Sequence, residues 1–200
     1  MIQSADKTIF FWINDLAGKV PIIDRFMRLM GNDYFILVCM ALVVFALWFS
    51  GRDPEHRERN QRAVWCALIG AGFACAIVAI CNAFYDRPRP FEMYGVYPTG
   101  QVHLLFYEPT DPSFPSNTAA TAFAFASGIW LGNRKVGYFL LLPAFLVSFA
   151  RVFIGVHYPF DILGAALVGI AASLGALLVL RIFEPLPTWI LKGMRWLYLA

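Results

Sequence analysis

Long apolar runs separated by short polar segments constrain the fold of this 200-residue chain more than any other feature. Hydrophobic residues make up 60% of it and charged residues 14%, whereas average soluble chains carry about 25% charged residues. The mean hydropathy of +0.62 and runs of roughly 20 apolar residues indicate helices that cross a lipid bilayer. The sequence therefore predicts an all-α fold, a polytopic membrane helical bundle over residues 1–200 as a single domain.

Five apolar runs are predicted to be membrane spans, at residues 34–50, 63–84, 116–131, 136–154 and 158–183. Residues 1–31 mix charged and apolar positions, which is typical of amphipathic helices that lie in the membrane interface. The expected architecture is therefore five to six spans plus these interfacial N-terminal helices.

Composition argues against nucleic-acid binding and against metal chemistry. The net charge of +3 is small, and no basic stripe with interleaved aromatic residues indicates a nucleic-acid partner. The four cysteines lie in apolar segments without Cys-x-x-Cys spacing, which favours buried thiols over a metal site or disulfides. The sequence has no cluster of metal ligands, so neither a metal nor another cofactor is expected.

The distribution of Lys and Arg predicts the orientation of the chain. With five spans, nine basic residues fall on one side and seven on the other, and three of the seven are candidate site residues. The positive-inside rule then places the first set in the cytoplasm and the N-terminus outside. Three polar segments share the extracytoplasmic face in this arrangement, and they contain Arg87, Arg89, Ser116, Arg151 and His157.

Residues 151–161 place charged and imidazole groups in otherwise apolar sequence, at Arg151, His157 and Asp161. Ionisable groups at membrane depth are costly and mark functional sites. Arg151 offers a forked anion clamp, and His157 and Asp161 are four residues apart, one turn on a helix. A carboxylate-oriented imidazole is suited to act as a nucleophile or base. A structural pair at the end of a span is the alternative interpretation.

Two further segments on this face suit anion binding. Arg87 and Arg89 alternate with prolines, which stiffen the backbone that carries the two guanidinium groups. Pro115-Ser116 precedes a predicted span, where free amides and a hydroxyl at a helix N-terminus form an anion site. Taken alone, the arginines could anchor a loop to lipid headgroups and Ser116 could be a simple helix cap. The order, spacing and sidedness of the three segments together indicate one phosphate site.

The three segments resemble the signature of the type-2 phosphatidic-acid phosphatase superfamily, which is related to vanadium haloperoxidases. That signature reads Lys-x6-Arg-Pro, then Pro-Ser-Gly-His, then Ser-Arg-x5-His-x3-Asp. Residues 89–90 match the end of the first part and residues 115–116 the start of the second. Arg151, His157 and Asp161 match the third part at the required spacing. The resemblance implies a catalytic core over residues 60–183.

The resemblance also implies roles for the matching residues. His157 would attack phosphorus and form a phosphohistidine, and Asp161 would orient the imidazole. The phosphoryl oxygens would be held by Arg89, Arg151, Ser116 and the backbone amide of Asn117, with Arg87 and Asn82 as further phosphate-binding candidates. Two guanidinium forks and helix-terminal amides supply the positioning and charge neutralisation that phosphoryl transfer requires.

Three positions depart from the signature. Asn82 stands at the Lys position, which removes one cation, and Ala150 stands where a Ser would donate a hydroxyl. Thr118 occupies the position of the His that protonates the leaving group, and a Thr hydroxyl is far too weak an acid for that task. His103 in the same outer loop is a candidate replacement, although a loop His is more often only solvated.

Three explanations for Thr118 stay open: an engineered substitution, natural divergence in a working enzyme, or an inactive relative that only binds lipid phosphate. Leaving-group chemistry bears on the second. A phosphomonoester expels an alkoxide, which needs a proton, whereas a diphosphate expels a phosphate whose second pKa is about 6. A working enzyme without the His would therefore favour a diphosphate substrate.

Several stretches, including residues 13–19 and 87–91, resemble bacitracin-resistance-type undecaprenyl-diphosphate phosphatases. The resemblance implies a hydrolase of the bacterial plasma membrane, with its site on the extracytoplasmic side. Such an enzyme removes the terminal phosphate of polyprenyl (undecaprenyl) diphosphate and recycles the cell-wall lipid carrier. A phosphatase for phosphatidate or phosphatidylglycerol phosphate is the alternative. The lipid tail is expected between spans, along Phe123, Phe125, Trp130 or Phe149.

Overall fold

Almost the whole of the computed structural model is helical; it describes residues 2–196, with side chains from Ser4 onward. In chain order the helices are α1 (Ile2–Asn14), α2 (Pro21–Met30), α3 (Phe35–Trp48), α4 (Pro54–Phe84), α5 (Pro90–Tyr94), α6 (Asn117–Gly132), α7 (Arg134–Phe153), α8 (Pro159–Ile182) and α9 (Leu186–Trp196). Within this range, β-type pairing is limited to one isolated bridge between Val96 and Val102. The all-α prediction is confirmed. Met1 and residues 197–200, which the single-domain prediction includes, lie outside the described residues.

Helix α6 lies at the centre of the bundle and packs against α4, α7 and α8. Its face is built from fully buried alanines, and small residues let neighbouring helix backbones approach closely. A Cβ on Gly128 would lie 2.5 Å from the Cα of Ala67 in α4, and one on Gly169 in α8 would lie 2.5 Å from the carbonyl oxygen of Ala120. These close contacts fix the position of α6, and hence of the polar groups at its first turn.

Three helices, α4, α7 and α8, are long and apolar enough to cross a membrane, and α2 with α3 would make a fourth span bent by 51°. Helix α6 has 16 residues and is enclosed by its neighbours. Length and composition therefore support three to four spans within residues 2–196, fewer than the five to six predicted. The difference arises because hydropathy does not separate a lipid-facing span from a short helix buried inside a bundle. Three or four spans still make this a multi-pass membrane protein.

The main helices bring their polar ends together at one end of the bundle, called the site end below. At the opposite end of the bundle, α6 and α7 are joined by Asn133 alone. Its side chain accepts a hydrogen bond from the amide of Val136 and caps α7. The backbone amide of Ser113 donates to the carbonyl oxygen of Arg87 at 2.8 Å, which closes the loop between α4 and α6. The ends of α4 and α7 and the beginnings of α6 and α8 therefore meet.

The N-terminal helices are tied to this site end. The side-chain amide of Asn14, at the end of α1, donates to the carbonyl oxygens of His103 and Phe153, both at 2.9 Å. The Asn14 carbonyl oxygen accepts from the backbone amide of His103 in return. Helix α2 leaves Ile22 and Phe26 exposed, an apolar face suited to the membrane interface predicted for residues 1–31.

Candidate active site

His157 lies in the short connection between α7 and α8, and its side chain is 2% exposed. Its Nδ1 is 2.9 Å from the carbonyl oxygen of Ser113, which can only accept, so Nδ1 carries the proton. Nε2 therefore keeps its lone pair. Burial, reinforced by repulsion from Arg151 and Arg89, lowers the pKa of His157 to about 4. The imidazole is thus neutral near pH 7 with an unprotonated Nε2, the form in which an imidazole can act as a nucleophile.

Asp161 acts on His157 less directly than the sequence suggested. Helix α8 begins at Pro159, so His157 precedes the helix, and its contact with Asp161 is longer than a hydrogen bond. The Asp161 Oδ2 lies 3.7 Å from Nδ1, whereas it accepts hydrogen bonds from the Ser113 hydroxyl at 2.6 Å and the Tyr158 amide at 2.8 Å. Asp161 therefore holds the loop whose carbonyl orients the imidazole. Sequence reasoning missed Ser113, because it orients His157 through its backbone carbonyl oxygen.

Arg87 faces carboxylates rather than the imidazole of His157. Its guanidinium bonds to Asp161 through Nη1 and to Asp6 of α1 through Nη2, and it lies 4.3 Å above the ring of Tyr158. Burial disfavours its charge, but the two carboxylates outweigh burial and raise the pKa of Arg87. Arg87 therefore braces Asp161 in this structure, and its assignment as a phosphate ligand stays a prediction. The sequence carried no signal for this, because Asp6 is 81 residues away.

Arg89 points directly at His157. Its Nη1 lies 3.3 Å from the His157 Nε2 and also donates to the carbonyl oxygen of Val156 at 2.9 Å. Asp111 holds the other side of the guanidinium, because its carbonyl oxygen accepts from Nε at 2.8 Å and its Oδ1 accepts from Nη2 at 2.9 Å. The side chain is 2% exposed, so its charge is held in a fixed position beside Nε2.

Arg151 reaches the same nitrogen from α7. Its Nη2 lies 3.4 Å from the His157 Nε2, while its Nη1 donates to the Gly31 carbonyl oxygen at 3.1 Å and to Asp33 at 2.7 Å. Its Nε is buried without a hydrogen-bond partner among the described residues. The edge formed by Nε and Nη2 is therefore free to hold two oxygens of one anion.

Ser116 and the first turn of α6 complete the site. Ser116 is the N-cap residue, yet its side chain makes no capping hydrogen bond and its hydroxyl is buried without a partner in the described part of the chain. The amides of Asn117 and Thr118 open the helix, where orphan N–H groups and the helix dipole favour an anion. Unpaired buried donors are rare and each requires an explanation. The unpaired Ser116 hydroxyl and the unpaired Arg151 Nε are therefore candidates to hold an anion.

Residues 63–184, which are more than half of the chain, match the family model of the PAP2 superfamily. The chain belongs to this superfamily. The undecaprenyl-diphosphatase BcrC of Bacillus subtilis (strain 168) is 28% identical over 162 residues, which are 81% of this chain and 77% of BcrC. The crystal structure of Aquifex aeolicus LpxE is similar with a TM-score of 0.63 and 26% identity, covering 85% of this chain and 93% of LpxE. A PAP2 type phosphatidylglycerolphosphate phosphatase from Bacillus subtilis has the same fold, with a TM-score of 0.64, 19% identity and coverage of 92% and 88%.

At the position of the PAP2 acid histidine, Thr118 contacts a carboxylate from outside the matched region. Its hydroxyl donates to Asp33 Oδ1 at 3.2 Å. The hydroxyl of Tyr107 donates to Asp33 Oδ2 at 2.6 Å, and this bond raises the pKa of Tyr107 to about 12. Thr118, Asp33, Tyr107 and Arg151 thus form one hydrogen-bonded group at the edge of the PAP2 site. Sequence reasoning missed Asp33 and Tyr107, which carry no signature spacing.

Two other candidates do not join the described contacts of the PAP2 site. Asn82 lies in the last turn of α4, and its Oδ1 is buried without a partner among residues 2–196. The ring of His103 stacks on Tyr97 at a centroid distance of 4.9 Å. Neither residue has a described bond to His157, Arg89 or Arg151, and their roles at the site stay predictions.

The predicted tail groove is wrong for two of its four residues. Phe123 and Phe125 are 4% and 8% exposed and belong to the hydrophobic core of the bundle. Trp130 packs against Tyr138 near the opposite end of α6. Phe149 is 41% exposed on α7, half a turn from Arg151, and is the aromatic side chain of this set that faces outward near the site end. Periodicity could not distinguish these positions because α6 is buried on nearly all sides.

The lowered pKa of His157 predicts a particular pH dependence of this PAP2 site. For a His157 that attacks phosphorus, as the family resemblance implies, the neutral imidazole is required, and activity is expected to fall as the pH drops through the folded-state pKa of about 4 rather than through the ordinary 6.5. The pH profile of kcat/KM reports the free enzyme, and its acid limb is expected between about pH 4 and 5 after correction for substrate titration. An acid limb near 6.5 would mean that burial does not govern the imidazole.

Proposed function

We propose that this chain is an integral membrane phosphatase that removes the terminal phosphate of a polyprenyl diphosphate. The observation that carries this proposal is the pair of unpartnered buried donors, the Ser116 hydroxyl and the Arg151 Nε. Arg89 and Arg151 lie 3.3 and 3.4 Å from the Nε2 of a neutral, oriented imidazole, and the Ser116 amide donates to the carbonyl oxygen of Asp161 at 3.4 Å. Such an arrangement suits a phosphoryl group better than a neutral ligand.

The chemistry follows from the orientation of His157. Its Nε2 lone pair attacks the terminal phosphorus, a P–N bond forms, and the bond from phosphorus to the bridging oxygen breaks. The electron pair stays on that oxygen, which leaves as the lipid monophosphate. Arg89 and Arg151 neutralise the charge on the transferring oxygens, and the amides at the start of α6 donate to them. Water then attacks the phosphohistidine, releases phosphate and restores the lone pair.

Thr118 supports a diphosphate rather than a phosphomonoester as the substrate. A lipid monophosphate leaves as a stabilised anion whose protonated form has a pKa of about 6, so it departs without a strong proton donor. Phosphatidate would have to expel an alkoxide, and the Thr118 hydroxyl is too weak an acid to protonate it. We therefore interpret Thr118 as natural divergence in a working diphosphatase.

The similarity to BcrC, which is named an undecaprenyl-diphosphatase, supports the same substrate class. We place residues 60–183 as the catalytic core of a single domain over residues 1–200. By the positive-inside rule, the site end faces the extracytoplasmic side of a bacterial plasma membrane. There the enzyme would recycle the lipid carrier of cell-wall glycans.

Phosphate release by the purified chain tests this proposal, with polyprenyl diphosphate and phosphatidate offered in the same detergent. We expect the diphosphate to be hydrolysed roughly 10²-fold faster in kcat/KM, the contribution that a missing general acid costs the monoester. Equal or faster hydrolysis of phosphatidate would favour a phospholipid phosphatase. Binding of both lipids without release of phosphate would favour an inactive lipid-phosphate-binding relative.

The unpaired hydroxyl of Ser116 gives a more local prediction. A hydrogen bond to a charged group strengthens substrate binding. Ser116→Ala should therefore raise KM about tenfold, with a smaller change in kcat. Ser127→Ala in the same helix is the control, because the Ser127 hydroxyl bonds to the Phe123 carbonyl oxygen at 2.6 Å, away from the site end. An unchanged KM in Ser116→Ala would remove Ser116 from the phosphate site.

A further inference from the structure

Asp33 lies in the turn between α2 and α3, outside the region that carries the PAP2 signature. Its side chain is 21% exposed, and both carboxylate oxygens are engaged. Oδ1 accepts from Arg151 at 2.7 Å and from Thr118 at 3.2 Å, and Oδ2 accepts from Tyr107 at 2.6 Å. A carboxylate that accepts three hydrogen bonds from site residues is held in a defined direction.

Arg151 links the Asp33 carboxylate to His157. The same guanidinium contacts Asp33 through Nη1 and approaches the His157 Nε2 through Nη2. Asp33 and Nε2 therefore lie on either side of one guanidinium group. Asp33 also accepts from the Thr118 hydroxyl in the first turn of α6 at 3.2 Å, so a phosphoryl group held between Nε2, Arg151 and that turn would have Asp33 one side chain away.

Hydrolysis of the phosphohistidine needs a proton acceptor in that place. Water attacks opposite the P–N bond, from the side where the lipid monophosphate left. As the new P–O bond forms, the water must lose a proton, and Thr118 offers only a hydroxyl with no useful basicity. Neither Arg89 nor Arg151 can accept a proton.

We propose that Asp33 is the general base that activates water in this second step, a role that rests on the proposed function. The Asp33 carboxylate removes a proton from water while the P–O bond forms and the P–N bond breaks. The electron pair of the P–N bond returns to the His157 Nε2, and inorganic phosphate is released. The protonated Asp33 then loses its proton to solvent next to Tyr107, whose side chain is 59% exposed.

Asp111 provides a matched control. Like Asp33, it is a carboxylate paired with a site arginine, in this case Arg89 at 2.9 Å. It is 56% exposed, and it has no described bond to Thr118 or to the first turn of α6. A general loss of charge balance would affect the two substitutions alike, whereas a base role affects Asp33 alone.

The test is rapid-quench labelling with polyprenyl diphosphate that carries ³²P in the terminal phosphate. In Asp33→Asn we expect the phosphoenzyme to form at nearly the unsubstituted rate and to decay roughly 10²-fold more slowly, so that labelled protein accumulates. Asp33→Glu should restore part of the decay rate. Asp111→Asn should leave the decay rate within about threefold of the unsubstituted chain.

Three results would overturn the proposal in distinguishable ways. Unchanged decay in Asp33→Asn removes Asp33 as the base. Loss of phosphoenzyme formation in both Asp33→Asn and Asp33→Glu assigns Asp33 to holding Arg151, a positioning role only. Absence of phosphoenzyme in the unsubstituted chain, with or without phosphate release, contradicts the proposed function and this role with it.

Discussion

Replacing His157 with Ala should abolish phosphate release from polyprenyl diphosphate, with a loss in kcat of at least roughly 10³-fold. The substitution removes the neutral Nε2 that stands 3.3 Å from Arg89 and 3.4 Å from Arg151, and no other described nucleophile shares that position. Binding should persist, because both arginines and the first turn of α6 are left in place. The measurement is phosphate release under saturating substrate, together with substrate binding by the same protein.

His103→Ala is the control for this experiment. Its ring stacks on Tyr97 and has no described bond to the phosphate-binding residues, so kcat should change by less than about threefold. The Ser113 carbonyl that orients His157 is unaffected by either substitution. Comparable activity of His157→Ala and the unsubstituted chain would rule out a covalent mechanism at this residue.

Replacing Thr118 with His should produce the second large effect, and it should depend on the substrate. The new imidazole would stand next to Asp33, which already accepts the Thr118 hydroxyl at 3.2 Å and would hold the imidazole as a proton donor. General acid catalysis contributes roughly 10²- to 10⁴-fold when the leaving group is a poor anion. We therefore expect kcat for phosphatidate to rise by about 10²-fold, and kcat for the diphosphate to change less than about tenfold.

Thr118→Gln controls for side-chain size, since Gln fills a similar volume without a titratable group. It should not accelerate phosphatidate hydrolysis. Comparing the unsubstituted chain with Thr118→His also separates the three explanations of Thr118. Activity toward the diphosphate before substitution indicates natural divergence, activity gained only with His indicates an engineered or decayed site, and inactivity in both indicates a binding protein. A Thr118→His protein with no gain on phosphatidate would contradict the leaving-group argument.

The sequence predicts the apolar parts of the fold well and their polar extensions poorly. The runs at 136–154 and 158–183 agree within two residues with α7 (Arg134–Phe153) and α8 (Pro159–Ile182). Helix α4, in contrast, begins at Pro54 rather than at residue 63, because Asp53 caps a polar first turn by accepting from the amide of His56 at 2.9 Å. Hydropathy alone therefore does not predict that the helix extends beyond the apolar run.

The same division holds within the candidate site. The sequence predicted His157, Arg89 and Arg151 from the chemistry of their own side chains, and the structure brings these three together. Residues that act through partners were not predicted, because contacts such as Asp33 with Arg151 join positions 118 residues apart. Asp161 illustrates both cases, since its presence was predicted but its contacts with Ser113 and Arg87 depend on the folded loop.

Mapping the labelled residue tests the central claim most directly. The purified chain is mixed with polyprenyl diphosphate labelled in the terminal phosphate, quenched under conditions that preserve phosphohistidine, digested, and analysed by mass spectrometry. The account predicts a phosphoryl group on the peptide that contains His157, formed fast enough to precede phosphate release and lost in His157→Ala. Turnover with no phosphorylated peptide, or with the label on a different residue, would contradict it.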